Sequence, residues 1–132
     1  MSLKLMQLYP FQVFRHRVYL PWLSVLGFWG DIKRGVTTQK IIELSELGID
    51  SRAGTRFETI RYKSLQTILS CAQEEGFSKF LDIGCGLGRS LIVADELGFN
   101  DIYGVDISQA LIESCQKTYQ KKIFPLSLAV VM

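Results

Sequence analysis

The sequence has little of what marks several large classes of protein. It contains three cysteines, three prolines and one histidine in 132 residues. Cys71, Cys85 and Cys115 are widely spaced and form no C-x-x-C pair, which argues against a zinc site and a disulfide framework and fits a reducing cytoplasm. With a single histidine, neither a Ser–His–Asp nor a Cys–His arrangement can be argued.

The sequence also lacks an apolar run long enough to cross a membrane. Residues 18–30, VYLPWLSVLGFWG, carry no charge, but the run is shorter than the roughly 20 residues of a spanning helix and contains Pro21. No small-x-small cleavage pattern follows it, so it does not resemble a signal peptide. We expect an irregular apolar segment packed on the domain or, alternatively, a surface that contacts a partner or a membrane.

The charge is nearly balanced overall but unevenly distributed. Residues 1–63 hold ten Lys or Arg and five Asp or Glu, whereas residues 64–132 hold five and eight, so the halves carry net charges of +5 and −3. Because the basic residues are scattered, we expect a solvated surface rather than a site for an anionic partner. With 48% hydrophobic and 21% charged residues, the chain fits one soluble domain at most.

Hydrophobic spacing predicts the elements on either side of the central stretch. It predicts a short helix over 38–47, a loop over 49–55 and a strong amphipathic helix over 58–75. The apolar stripe of the second helix is expected to lie in the core and consists of Tyr62, Leu65, Ile68, Leu69 and Ala72. The apolar run at 126–132, LSLAVVM, suits a third buried strand.

The stretch 79–106, KFLDIGCGLGRSLIVADELGFNDIYGVD, predicts a strand, a glycine-rich turn, a helix and a second strand. Phe80, Leu81 and Ile83 are expected to be buried on the first strand. Asp106 ends the second strand, and Ser108 is expected to cap the helix that follows. Such a unit forms parallel strands, with ligands bound beyond their carboxyl ends.

The glycine spacing does not match the dinucleotide-binding pattern G-x-G-x-x-G. Counted from Gly84 the pattern requires glycine where Arg89 stands, and counted from Gly86 it requires glycine where Leu91 stands. Asp106 lies 22 residues after Gly84, about where an acidic side chain meets a ribose diol. The spacing therefore disfavours a nicotinamide-dependent oxidoreductase.

The motif that is present reads D-x-G-x-G-x-G. LDIGCGLGR followed by IYGVDIS resembles the first motif and the next acidic strand end of class I S-adenosylmethionine-dependent methyltransferases, over roughly 79–117. The resemblance implies a Rossmann-like, three-layer α/β fold with a parallel sheet, of which about the first three strands are encoded, with N-terminal helices. It divides the chain into an N-terminal extension (1–57) with the apolar segment and a short helix, and a partial cofactor-binding domain (58–132).

The resemblance also implies S-adenosylmethionine as the cofactor. The backbone at 84–86 would approach its methionine end, Asp82 would orient the turn and the cofactor amine, Asp106 would accept the ribose hydroxyls and Ile107 would pack on the adenine. The alternatives are that the two acids are caps and that the glycines serve packing. The full set of expected cofactor-binding residues is Asp82, Gly84, Cys85, Gly86, Gly88, Asp106 and Ile107; no metal ligand is expected.

Three residues just upstream have two interpretations. Phe57, Glu58 and Tyr62 could form a flap over the cofactor, as in many enzymes that resemble this chain. Alternatively, Glu58 stabilises the start of its helix and Tyr62 packs in the core. Cys85 is expected to fill the turn rather than to act as a nucleophile.

The activity that the resemblance implies is transfer of the sulfonium methyl group by direct displacement. These residues do not identify the acceptor, which could be a protein, a small molecule or a nucleic acid. They do not identify the catalytic residues either, because in this family those residues follow the fourth strand. A truncated or inactive form is therefore expected. The alternative is a non-catalytic cofactor-binding or protein-interaction module.

Overall fold

The computed structural model of the protein describes residues 20–48, 50, 57–119 and 126–130. The N-terminal part of the described chain contains helix α1 (Leu20–Arg34), strand β1 (Ile41–Ile42), a 3-10 helix (Leu44–Leu47) and strand β2 (Phe57–Glu58). The remainder alternates helices and strands: α2 (Tyr62–Glu74), β3 (Lys79–Ile83), α3 (Arg89–Glu96), β4 (Asp101–Asp106), α4 (Gln109–Tyr119) and β5 (Leu126–Val130).

Strands β3, β4 and β5 form a parallel sheet in that order. Lys79 pairs with Asp101 at one end and Ile83 with Val105 at the other, so β3 and β4 end together at their carboxyl ends. β1 and β2 form a separate antiparallel pair. The predicted α/β fold with a parallel sheet is confirmed, and the predicted third strand is found at 126–130.

Helix α3 lies at the centre of the core. Leu91, Ile92, Val93 and Ala94 are almost completely buried and pack against side chains of α2 and α4. The amphipathic stripe of α2 contributes Leu65 and Leu69. An eight-residue helix this deeply buried owes its stability to packing rather than to its own propensity.

The described residues leave one face of the sheet exposed. Leu81 and Ile83 are 56% and 80% exposed, and Tyr103, which pairs with Leu81, is 45% exposed. Phe80 and Ile102 point to the opposite face, towards the helices. The prediction that Phe80, Leu81 and Ile83 are all buried is therefore wrong for the latter two, because the described helices cover one face of the sheet.

Residues 20–34 form a regular helix, so the irregular segment predicted there is wrong; residues 18 and 19 lie outside the described part. The helix turns Gly27 and Asp31 inwards and leaves Trp22, Leu26 and Trp29 at least half exposed. Its apolar side therefore faces outwards, and the predicted contact of this segment with a partner or a membrane stays a prediction. No helix in the described ranges is long and apolar enough to cross a membrane.

Two further predictions upstream of the sheet are wrong. The helix predicted over 38–47 is a short strand and a 3-10 helix, because Ile42 pairs with Phe57 across the β1–β2 ladder. The helix predicted from Glu58 begins at Tyr62, and Ile68, expected in its core stripe, is 63% exposed. Of the loop predicted over 49–55, all residues but Asp50 lie outside the described ranges.

A buried ion pair joins α1 to the rest of the fold. Nη2 of Arg89, the first residue of α3, lies 3.1 Å from Oδ1 of Asp31, and both side chains are at most 3% exposed. Asp31 also accepts hydrogen bonds from the Tyr62 hydroxyl (2.7 Å), from the hydroxyl and backbone N–H of Thr38 (2.7 and 2.5 Å) and from the backbone N–H of Gln39 (2.6 Å). The burial cost of both charges is therefore offset by a full set of partners.

The network keeps Asp31 ionised. Burial by itself raises the pKa of this carboxyl group, but the hydrogen bonds from Thr38, Tyr62 and the two backbone N–H groups outweigh it and hold the pKa below 3.8. Burial also raises the pKa of Tyr62 to about 12, so its hydroxyl stays a donor at neutral pH.

We predict that Asp31→Asn lowers the free energy of unfolding by about 3–5 kcal/mol near neutral pH, because it leaves the Arg89 guanidinium buried without a counter-charge. The pKa of Asp31 is lower in the folded chain than the unfolded value of 3.8, so the contribution of this carboxylate is complete above pH 3.8 and is lost as the pH falls through the folded value. Urea unfolding across this pH range should show the difference between the variant and the wild type shrinking with acid.

The matched control is Asp101→Asn, whose ion pair with Lys79 (3.2 Å) is largely exposed. It should change the free energy of unfolding by less than about 1 kcal/mol. Equal effects of the two substitutions would contradict the importance assigned to Asp31.

Candidate functional site

The glycine-rich turn between β3 and α3 is fastened to the neighbouring strand by backbone hydrogen bonds. The N–H groups of Gly84 and Cys85 both donate to the carbonyl of Val105, at 2.8 and 3.0 Å. The N–H of Gly88 closes the turn on the carbonyl of Cys85 at 2.8 Å. The turn therefore sits directly over the carboxyl end of β4, where Asp106 stands.

Asp106 bridges the turn and the start of α4. Its Oδ2 accepts a hydrogen bond from the Gly86 N–H at 2.8 Å, and its Oδ1 accepts one from the Ser108 N–H at 2.9 Å. The side chain is buried, with the residue 8% exposed. Each carboxylate oxygen has a second acceptor site, so the group can still receive donors from a ligand.

Ser108 caps α4, as predicted. Its hydroxyl accepts a hydrogen bond from the Leu111 N–H at 3.3 Å, and its carbonyl accepts one from the Ile112 N–H at 3.1 Å. The side chain of Asp106 is thus not the cap of this helix, although it does fix the residue that is.

The three glycines of the turn have three different surroundings, although all have positive φ. A Cβ at Gly84 would meet no atom of the described residues within 4 Å, so the backbone there is open to a ligand. A Cβ at Gly86 would overlap the ring of Phe57, and one at Gly88 would overlap the sulfur of Cys115 on α4. Gly88 is therefore a packing residue, which was one of the two roles expected for the glycines.

A small cavity of about 190 Å³ lies beside Gly84. Asp82, at the penultimate position of β3, lines it and accepts a hydrogen bond from the hydroxyl of Ser90, in the first turn of α3. This bond holds the carboxylate beneath the turn. Sequence reasoning missed Ser90 and Arg89, which also line the cavity; an arginine at a helix N-terminus, where the dipole disfavours it, was the available signal.

The opposite wall of the cavity is the backbone segment 57–60, which we call the cover segment. Phe57, half-buried, packs its ring on Gly86, and Glu58 lines the cavity from β2. These two residues lie where a flap over the site was predicted. Tyr62 does not: it is buried in the core and bonded to Asp31. The alternative for Glu58 as a helix N-terminal residue is wrong, since α2 begins at Tyr62.

The thiols near the turn are buried. Cys85 and Cys115 are 5% and 0% exposed, and the hydrogen bond between the two side chains, together with burial, raises the pKa of Cys115 far above its ordinary value. Cys115, held in its protonated form, is therefore a poor nucleophile. Cys85 lies within the turn and is buried there, so its side chain fills the turn, as expected.

Three of the seven predicted site residues, Asp82, Gly84 and Cys85, line the cavity. Gly86 and Asp106 do not line it but are joined to each other by a hydrogen bond. Ile107 follows Asp106 and is 54% exposed, so its side chain is free to contact a planar group. Gly88 alone faces away, into the contact between α3 and α4.

Comparison with known families agrees with the sequence resemblance. Residues 80–131 match the family described as a methyltransferase domain, which is less than half of the chain. The matched part runs from β3 to β5 and contains the turn, Asp106 and Ile107. The resemblance of this part to methyltransferases is thus confirmed. No curated protein matches the chain at a significant level.

Several solved structures resemble the chain. The methyltransferase domain of bacterial CtHen1 shares 25% identity over 53% of this chain and 40% of its own, with a TM-score of 0.47. An S-adenosylmethionine-dependent methyltransferase from Clostridium acetobutylicum shares 22% over 55% and 30% (TM-score 0.48). Magnesium protoporphyrin IX methyltransferase from Synechocystis, solved with bound SAM, shares 20% over 53% and 36% (TM-score 0.46). The chain thus spans less than half the length of each.

We predict that Gly86→Ala destabilises the chain more than Gly84→Ala does. Both substitutions force a side chain into positive φ, at about 1–2 kcal/mol, but only the first adds the overlap with Phe57, at about 1–3 kcal/mol more. Urea unfolding of the two variants measures the difference. In a Phe57→Ala background the gap should close, and a gap that persists there would contradict the contact.

Proposed function

We propose that the turn and the end of β4 form the S-adenosylmethionine site of a methyltransferase, with an acceptor still to be identified. The observation that carries the proposal is that an open glycine, Gly84, and a carboxylate one strand over, Asp106, are fixed to each other through the Gly86 N–H. The match of residues 80–131 to the methyltransferase domain supports the same function.

The residues present fit the two ends of this cofactor. The bare backbone at Gly84, with the Asp82 carboxylate beneath it, suits a group that carries a charged amine. The cavity of about 190 Å³ is smaller than most whole-ligand sites, so it suits only the amino-acid end. Gly86 does not contribute a free N–H, because that group already bonds Asp106.

The nucleoside end would lie towards the rim of the sheet. Asp106 would accept the ribose hydroxyls with its remaining acceptor sites, and the exposed side chain of Ile107 would cover one face of the adenine. A phosphate at the ribose would be repelled by the Asp106 carboxylate, which agrees with a nucleoside rather than a phosphorylated nucleotide.

The chain would contribute alignment rather than proton chemistry. Bound S-adenosylmethionine would supply an already activated methyl group on its sulfonium. The cover segment and the turn would hold that group in one orientation, and alignment of reactants can lower a barrier by roughly 7–11 kcal/mol. Cys85, which is buried, would not compete as an acceptor.

The experiment is calorimetric titration of the full chain with S-adenosylhomocysteine. We expect binding, and we expect Asp106→Ala to weaken it roughly 10- to 100-fold, because charge-assisted hydrogen bonds to the ribose are lost. Asp101→Ala, at the other end of the same strand, is the matched control and should bind like the wild type.

A second variant covers the case in which Asp106→Ala does not fold. Ile107 is 54% exposed, so Ile107→Ala should leave the melting temperature unchanged and still weaken binding several-fold. A folded wild type that does not bind S-adenosylhomocysteine would overturn the proposal and favour a non-catalytic interaction module. Tight binding of NADH instead would favour an oxidoreductase.

A further inference from the structure

The side chain of Arg89 connects the two walls of the cavity. Arg89 opens α3 directly after the glycine turn, and it is only 2% exposed. Each of its nitrogens donates to a different partner: Nη2 to Asp31 at 3.1 Å, Nε to the Thr38 hydroxyl at 2.7 Å and Nη1 to the carbonyl of Ile60 at 3.1 Å. The last of these partners belongs to the cover segment.

Among the described residues, the cover segment is also held by a short ladder, by the packing of Phe57 on Gly86 and by the Thr59 hydroxyl. β2 is two residues long and pairs with a two-residue β1. The Thr59 hydroxyl donates to the carbonyl of Thr38 at 2.8 Å. The same hydroxyl lies 3.3 Å from the carbonyl of Lys40. Thr38 is itself bonded to Arg89, so the bond to the Thr38 carbonyl and the bond to the Ile60 carbonyl both connect the cover segment to the same guanidinium.

Packing alone does not require an arginine here. A buried ion pair is often no more stabilising than apolar residues of the same volume, because both charges lose their hydration. What the guanidinium adds is geometry, since its planar fork holds three partners in fixed directions. A lysine could keep the charge beside Asp31, but its single nitrogen could not reach all three partners.

We propose that Arg89 is a positioning residue for the cofactor site: it sets the spacing between the cover segment, 57–60, and the glycine turn. The inference rests on the proposed function, because the cavity between these two segments is the one that would hold the amino-acid end of the cofactor. Arg89 acts through Ile60 and Thr38 and touches no reacting atom.

The test is Arg89→Lys in the full chain, with two readouts. Titration with S-adenosylhomocysteine should show a dissociation constant raised about tenfold, which corresponds to one lost charge-assisted hydrogen bond. Amide hydrogen exchange should become faster at residues 57–60 and stay slow at 91–94 in the buried helix. Loss of packing alone would instead speed exchange in both regions.

Arg34→Lys is the matched control. Arg34 also lies over the Tyr62 ring, with its guanidinium carbon 4.1 Å from the ring centroid against 4.4 Å for Arg89. Its hydrogen bonds go to Glu96 and to the carbonyl of Gly30. Arg34→Lys should therefore leave unchanged both the affinity for S-adenosylhomocysteine and the amide hydrogen exchange at residues 57–60.

Should Arg89→Lys fail to fold, the double variant Asp31→Asn/Arg89→Met removes both charges and decides the question by the same readouts, with the same losses expected. Wild-type affinity together with wild-type exchange at 57–60, in whichever variant folds, would overturn the role of Arg89. If the wild type itself does not bind S-adenosylhomocysteine, the proposed function fails. Unchanged exchange at 57–60 would then overturn the positioning role independently.

Discussion

The buried ion pair between Asp31 and Arg89 is the contact on which the arrangement of the described chain depends. It links residues 58 positions apart in the sequence, at the inner face of α1 and at the first turn of α3. Because both side chains are almost fully buried, neither can lose its partner without leaving a charge in the interior. α1 and Thr38 are therefore held by polar contacts, whereas α2, α3 and α4 pack on one another mainly through apolar side chains.

The central unit was predictable because its signals are local. Three alternating glycines, a short apolar strand on either side and Asp106 at the second strand end fix a strand, turn, helix and strand within a short stretch of sequence. The individual role of each glycine was not predictable, since Phe57 and Cys115, which pack against Gly86 and Gly88, come from distant parts of the chain. Which face of the sheet is covered likewise depends on tertiary contacts and could not be predicted from local sequence.

The structure of the N-terminal part could not be predicted from local sequence patterns, for a physical reason. A surface helix normally buries its apolar stripe, but α1 buries Asp31 and Gly27 and exposes Trp22 and Trp29. The close approach is visible at Gly30, where a Cβ would overlap the ring of Tyr62. For such a helix, hydrophobic periodicity predicts the wrong buried face or no buried face at all. The pairing of Ile42 with Phe57 overrode helix propensity at 38–47 in the same way.

The two acids of the candidate site are held in place before any ligand arrives, and this bears on how such a site would work. Asp82 is bonded to Ser90, and Asp106 is bonded to the N–H groups of Gly86 and Ser108. A side chain already fixed in its rotamer has little conformational entropy left to lose on binding, so more of each hydrogen bond would appear as affinity. The cover segment lies outside the parallel sheet, in a ladder of two residues, and it connects to the turn through the packing of Phe57 on Gly86 and through the Arg89 guanidinium. Under the proposed function, the acids would determine which ligand enters, and Arg89 would determine how closely the cavity fits it.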